Sequence, residues 1–148
     1  EERIAGEASF ALRHDTSFAI FLVDIDRFKD VNDDCGHRVG DGVLRVVAAA
    51  IQRILRPEDV LARFGGDEFV VLARSIREEN AAILAERIRA HVSELQLPLD
   101  HARSVTASIG VALVEGATAR IEPEELLSRA AAAMYEAKQA GRNRVVFH

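Results

Sequence analysis

The sequence predicts an α/β fold, an α+β sandwich in which a mainly antiparallel, ferredoxin-like central sheet is covered by helices. Three observations carry that expectation. Long segments with apolar residues at helical spacing alternate with short apolar runs. Two such runs, Asp59–Phe64 and Phe69–Ala73, flank Gly65-Gly66, which reads as a tight β-hairpin turn because glycine accepts a positive φ. No internal repeat, linker or low-complexity stretch interrupts the 148 residues. One domain, residues 1–148, is therefore expected, with enough chain for a hydrophobic core.

Each element has its own signal. Glu1 to about His14 carries Ile4, Ala8, Ala11 and Leu12 at helical spacing and reads as an amphipathic helix. Phe18 to Val23 is continuously apolar, as in a strand buried on both faces. It ends in Asp24-Ile25-Asp26, where alternation puts residues 24 and 26 on one face, so two carboxylates can point the same way. Arg27 to Gly36 is short and polar, with Phe28 and Val31 as its buried contacts, and reads as a helical turn. His37 to about Leu55 is a strong helix with a broad stripe from Val39 to Leu55. Gly36, Gly40 and Gly42 near its start lack the lysine and spacing of a P-loop. Arg56-Pro57-Glu58-Asp59 ends that helix. After the hairpin, Glu78 to about Leu95 is helical, with Ala82, Leu84, Ala85, Ile88 and Val92 as its apolar set. A loop around Pro98 leads to a strand over Val105–Val114, in which Gly110 marks a bulge or a close packing contact. Pro123 opens a further long helix with Leu126, Leu127, Ala130, Ala133, Met134 and Ala137 facing the core, and Gly141 caps it. Arg144–Phe147 forms a short last strand.

Composition narrows the function classes. A net charge of −5 argues against nucleic acid as the main partner, which needs a basic face. An anionic ligand stays possible if a metal ion bridges it to carboxylates. The single cysteine, Cys35, excludes an intrachain disulfide and a cysteine-rich zinc site, and fits a reducing, cytoplasmic setting. No stretch approaches the roughly 20 apolar residues of a membrane span. The abrupt, charged opening reads as a segment of a longer chain. Asp67 and Glu68 directly follow the Gly-Gly turn, where adjacent carboxylates are hard oxygen ligands suited to Mg²⁺. Taken alone, that group also fits an ordinary hairpin with solvated acids.

Several separated motifs then agree in order and spacing. Asp24-Ile25-Asp26-Arg27-Phe28-Lys29, Asn32-Asp33, Gly36-His37, Gly40-Asp41 and Arg63-Phe64-Gly65-Gly66-Asp67-Glu68-Phe69 together resemble the GGDEF domain of diguanylate cyclases. The resemblance continues through Ser108–Ala112, Ala133–Lys138 and Gly141-Arg142-Asn143, and covers the chain from about Phe18 to its end. It implies condensation of two GTP into cyclic di-GMP with release of two pyrophosphates. Two Mg²⁺ per site, with Mn²⁺ as a substitute, are implied on Asp24, the Ile25 carbonyl and Asp67. The catalytic set implied is Asp67 as base for the 3′-hydroxyl, Glu68 in support, and Lys29 stabilising charge in the transition state. For the substrate it implies Asn32, Asp41 and His37 around guanine, Phe28, Gly65 and Gly66 lining the nucleotide site, and Lys138 and Arg142 on the triphosphate. A carboxylate such as Asp41 accepts both guanine donors, N1–H and the 2-amino group. Arg56, Asp59 and Arg87 correspond to a product-inhibition site. Homodimerisation is implied because one half-site cannot close a twofold product, and N-terminal sensor domains are expected in the parent chain.

There are departures. The family's Asp-x-Leu-Thr-Gly-Leu-x-Asn-Arg stretch before the first helix is absent, which is expected to weaken the nucleotide pocket. An Ala-Asp pair usual in the last helix reads Ala130-Ala131, and Arg27 and Cys35 read as tolerated variation. The rival reading is a non-catalytic module that binds GTP or cyclic di-GMP; intact Asp24, Lys29, Asp67 and Glu68 weigh against it.

Overall fold

The computed structural model describes residues 17–99, 103–115 and 122–148, together with Glu2 and Gly6. The helix expected over Glu1–His14 thus lies essentially outside the described residues. Five strands form one sheet: β1 (Phe18–Ile25), β2 (Val60–Arg63), β3 (Glu68–Arg74), β4 (Ala107–Val114) and β5 (Val145–Phe147), in the order β2-β3-β1-β4-β5. The first four pair antiparallel in the ferredoxin-like order, as expected. The sheet as a whole is mixed, because β5 pairs parallel to β4. The reason is the connection: a strand that returns through a crossover helix runs parallel to the one before it.

Within residues 17–148 as described, four helices cover both faces: α1 (Phe28–Cys35), α2 (His37–Ile54), α3 (Glu78–Glu94) and α4 (Pro123–Gln139). Central β1 is buried along its whole length, which explains its unbroken apolar run. Its odd residues, Ala19, Phe21, Val23 and Ile25, join a core with α1, α2 and α3. Its even residues, Phe18, Ile20 and Leu22, join a second core with Leu126, Ala130 and Met134 of α4. On α3 the buried residue is Ala81, while Ala82 is exposed, a shift of one position in the expected stripe.

Two further expectations need correction. Arg27–Gly36 contains a full two-turn helix, α1, rather than a single helical turn. Eight residues are too few to be helical alone. Burial of Phe28 and Val31 stabilises the helix, and Asn32 seats against Gly40 of α2, where a Cβ would overlap the amide. Second, neither Gly65 nor Gly66 takes a positive φ. Arg63 pairs with Phe69, and Glu68 O accepts from both Phe64 N (2.9 Å) and Gly65 N (3.3 Å), so the reversal is spread over a longer loop than a two-residue turn.

Gly110 makes a close contact and no bulge: its register with β1 is continuous, and a Cβ would strike Ala130 O and Met134 N of α4. After α4 the chain closes a Schellman cap, with Gly141 N to Lys138 O at 3.3 Å and Arg142 N to Ala137 O at 3.0 Å. Gly141 has φ +122°, which glycine accepts without strain. Among the described residues, no helix is long and apolar enough to cross a membrane.

Candidate active site

The antiparallel pairing of β1 with β3 and β4 brings Asp24 and Ile25 at one strand end level with Glu68 and with Ala107-Ser108. The β2–β3 loop folds over this end, where Ile25 N donates to Asp67 O at 3.1 Å. Arg63 braces the loop, donating from Nε to Gly65 O (3.3 Å) and from Nη2 to Gly66 O (2.6 Å). Sequence reasoning missed this role for Arg63; its position just before a carbonyl-rich Gly-Gly turn was the available signal.

A cleft of about 360 Å³ opens here, lined by Phe28, Lys29, Asn32, His37, Asp41, Leu44, Arg63, Gly66 and Asp67. Most of the expected nucleotide residues are thus brought together, on α1, α2 and the hairpin loop. At one end Asn32 Oδ1 is buried with no hydrogen-bond partner. A buried acceptor left unpaired costs free energy, and a ligand donor would offset it. Asp41 and His37 are exposed at the same end. Gly66 faces open space: a Cβ there would meet no protein atom within 4 Å, whereas one on Gly65 would reach Glu68 Oε2 at 3.3 Å.

Asp67, which lines the cleft on the hairpin-loop side, lies against Asp24, which is buried behind it and does not line the cleft. Asp24 is 2% exposed and ion-paired to Lys138 of α4. Burial raises its pKa to about 6, with the neighbouring Asp67 carboxylate adding to the rise and Lys138 opposing it. Two hard carboxylates side by side, one of them buried, form a donor set that fits Mg²⁺, and their repulsion is what a cation would relieve. Among the described residues, no group of three or more His, Cys, Asp or Glu side chains is arranged to hold an ion alone. Arg142 is exposed just beyond the α4 cap, four residues after Lys138, and neither of the two lines the cleft.

Asp26 shares the Asp24 face but is committed elsewhere. It accepts from Thr106 Oγ1 (2.6 Å), Ser108 Oγ (2.6 Å) and Asn143 N (3.0 Å). Asp33 and Asp34 are exposed at the end of α1, where Arg103 pairs with Asp34 at 2.9 Å.

A second cleft, of about 280 Å³, contains Arg56, Asp59 and Arg87 together with Ser75, Asn80 and Ile83. Arg56 closes on buried Asp59: Nη2 reaches Oδ1 at 3.0 Å, while Nε (3.3 Å) and its own backbone N (2.9 Å) reach Oδ2. Arg56 Nη2 also donates to Arg74 O at 2.8 Å. Hydrogen bonding to Asp59 raises the arginine's already high pKa.

The chain matches known proteins along nearly its whole length. Residues 1–144 match the family described as "Diguanylate cyclase, GGDEF domain". The chain is 43% identical over 138 residues to "Probable diguanylate cyclase DgcT" of Escherichia coli, covering 88% of this chain and 29% of that protein. It is 45% identical over 130 residues to "Response regulator PleD" of Caulobacter vibrioides, covering 84% of this chain and 28% of that protein. It thus spans less than a third of either curated relative. Among solved structures, the coiled coil and GGDEF domain of DgcB from Caulobacter crescentus, in complex with cyclic di-GMP, superposes with a TM-score of 0.90. That pair is 31% identical, over 99% of this chain and 78% of the other.

Proposed function

The chain belongs to the GGDEF family of diguanylate cyclase domains, and on that premise we propose that it condenses two GTP into cyclic di-GMP and two pyrophosphates. The observation that carries this is the cleft itself, which gathers Phe28, Lys29, Asn32, His37 and Asp41 of two helices with Gly66 and Asp67 of the hairpin loop, Asp67 lying against buried Asp24. Guanine donors would meet Asn32 Oδ1 and Asp41 at one end, with His37 beside them and Phe28 beneath. Gly66, open to the cleft, leaves room for the nucleotide, and Gly65 leaves the loop close to it. The triphosphate would lie toward Lys138 and Arg142.

Asp24, Asp67 and the Ile25 carbonyl would hold two Mg²⁺, for which Mn²⁺ could substitute, with phosphate oxygens completing the coordination. When bound, these ions would neutralise phosphate charge and make the 3′-hydroxyl more acidic. Asp67 would take the 3′-hydroxyl proton, supported by Glu68. The 3′-oxygen then bonds to the α-phosphorus of the other GTP, and the bond from that phosphorus to the pyrophosphate breaks. Lys29 would stabilise the charge that develops. Each chain holds one GTP, so two chains must face each other and the reaction runs twice. The Arg56, Asp59 and Arg87 cleft would take the product as a feedback inhibitor. The chain would be one domain of a longer cytoplasmic signalling protein whose other domains control pairing.

The test is incubation of the purified chain with GTP and Mg²⁺ at low and high protein concentration, with products separated by chromatography. Cyclic di-GMP rising more steeply than linearly with protein supports both the chemistry and the paired site. Near-normal turnover by Asp67→Ala would overturn the carboxylate assignment. GTP binding without product would favour the non-catalytic module.

A further inference from the structure

Asp26 is 6% exposed and takes no part in the chemistry above. Its carboxylate joins three pieces of chain: its own strand end, the start of β4 through Thr106 and Ser108, and the turn after α4 through Asn143 N. That turn is unusual. Arg142 and Asn143 follow Gly141 with φ +64° and +47°, a region that side chains disfavour. A conformation of this kind persists only where its surroundings over-determine it. Arg142 N is held by Ala137 O (3.0 Å), Arg142 O by Arg144 Nε (3.1 Å), and Asn143 Oδ1 by Arg89 Nη1 (2.8 Å). Two bonds fix the peptide that leaves Arg142, Arg144 Nε at its carbonyl and Asp26 at its N–H, and of the two partners only Asp26 is buried and anchored outside the turn. Without the Asp26 bond the turn can relax out of the left-handed region, and the change in φ at Arg142 would swing its Cα–Cβ bond to a new direction.

We propose that Asp26 is a positioning residue for phosphate recognition: its buried carboxylate locks the left-handed Arg142–Asn143 turn and so aims the Arg142 guanidinium at the triphosphate beside Lys138. The proposal rests on the assignment of Arg142 to the triphosphate. It accounts for a buried carboxylate next to Asp24 whose bonds are directed away from the cleft and into a strained turn.

The experiment is calorimetric titration of the intact chain with a non-reacting α,β-methylene GTP analogue and Mg²⁺, and separately with GMP. Asp26→Asn is expected to weaken the analogue about tenfold, the scale of one charge-assisted contact, as is Arg142→Ala. GMP affinity should stay within about twofold of the parent chain, and the double variant should be no weaker than either single one. Unchanged analogue affinity in Asp26→Asn, equal loss of GMP affinity, or additive losses with Arg142→Ala would each overturn the positioning role. Additive losses would put the effect at Asp24 instead. Asn143→Pro covers the case in which Asp26→Asn does not fold: it leaves the Asp26 bonds to Thr106 and Ser108 but removes the N–H that Asp26 holds and forbids the positive φ. It too should lose analogue but not GMP affinity, and unchanged affinity overturns the proposal. If Arg142→Ala itself leaves analogue binding intact, the triphosphate assignment fails and this proposal with it. If Arg142→Ala weakens binding and Asp26→Asn does not, only the positioning role fails.

Discussion

Burial and the neighbouring Asp67 carboxylate push Asp24 from 3.8 to about 6, so the native chain keeps a proton that the unfolded chain has released. Between those two values the native state binds more protons, and stability falls as pH rises. In EDTA, unfolding free energy is therefore expected to drop by on the order of 2 kcal/mol between pH 4 and pH 6 on account of this group. Asp24→Asn should flatten that slope in urea titrations; equal slopes in the two chains would refute the assignment. Arg56 makes a different prediction. Asp59 is buried and both its oxygens are bonded to Arg56, so Arg56→Ala leaves a buried charge without its partner. A loss of about 1–3 kcal/mol is expected along with relief of product inhibition. Arg87→Ala lines the same cleft and should relieve inhibition at little cost in stability. Inhibition curves and melting temperatures for the two variants separate the roles.

At the scale of elements, two glycines with the same appearance in the sequence do opposite work. Gly110 lets β4 touch the backbone of α4, with Met134 Cα only 2.9 Å from where a Cβ would stand. Gly110→Ala must move backbone and is expected to cost about 1–3 kcal/mol or more. Gly66 meets nothing, so Gly66→Ala should change stability by less than about 0.5 kcal/mol yet weaken GTP binding. Thermal melts paired with GTP titration test both; a destabilised Gly66→Ala would contradict the open-cleft reading. The sequence pattern could locate both glycines but not tell their reasons apart, because close packing and ligand room are properties of the neighbours. The same holds for α1: its polar surface hid a helix that only Phe28, Val31 and the Gly40 notch make worthwhile.

For the whole molecule, strand order follows from hydrophobic period and connection length, which is why the ferredoxin-like arrangement was legible before any coordinates. The parallel β5 edge was less so, since a three-residue strand carries almost no pattern of its own. Of the site, the motif-borne residues Asp24, Asn32, Asp41 and Asp67 were legible. Asp26's bonds to Thr106, Ser108 and Asn143 were not, because these partners are more than 75 positions away and have ordinary polar side chains. If each chain supplies one GTP cleft, as proposed, the pairing also sets how the assembly should respond to poisoning. Added Asp67→Ala chains should suppress cyclic di-GMP formation by a fixed amount of the parent chain, since mixed pairs lack one competent half. Unaltered output in a mixing titration would mean that single chains suffice.

The Lys138–Asp24 ion pair makes each partner the internal counter-ion of the other. On the proposed assignment, a divalent cation at Asp24 would have to displace an ammonium, and a triphosphate at Lys138 would have to displace a carboxylate. Whichever ligand comes first bears the cost of parting the pair and leaves the other partner unmasked. Linkage makes that help mutual and equal in free energy. Lys138 therefore offsets the Asp24 charge from within the fold, beside the Asp67 carboxylate. Nucleotide and metal, each discouraged from entering alone, would then be expected to bind as a set.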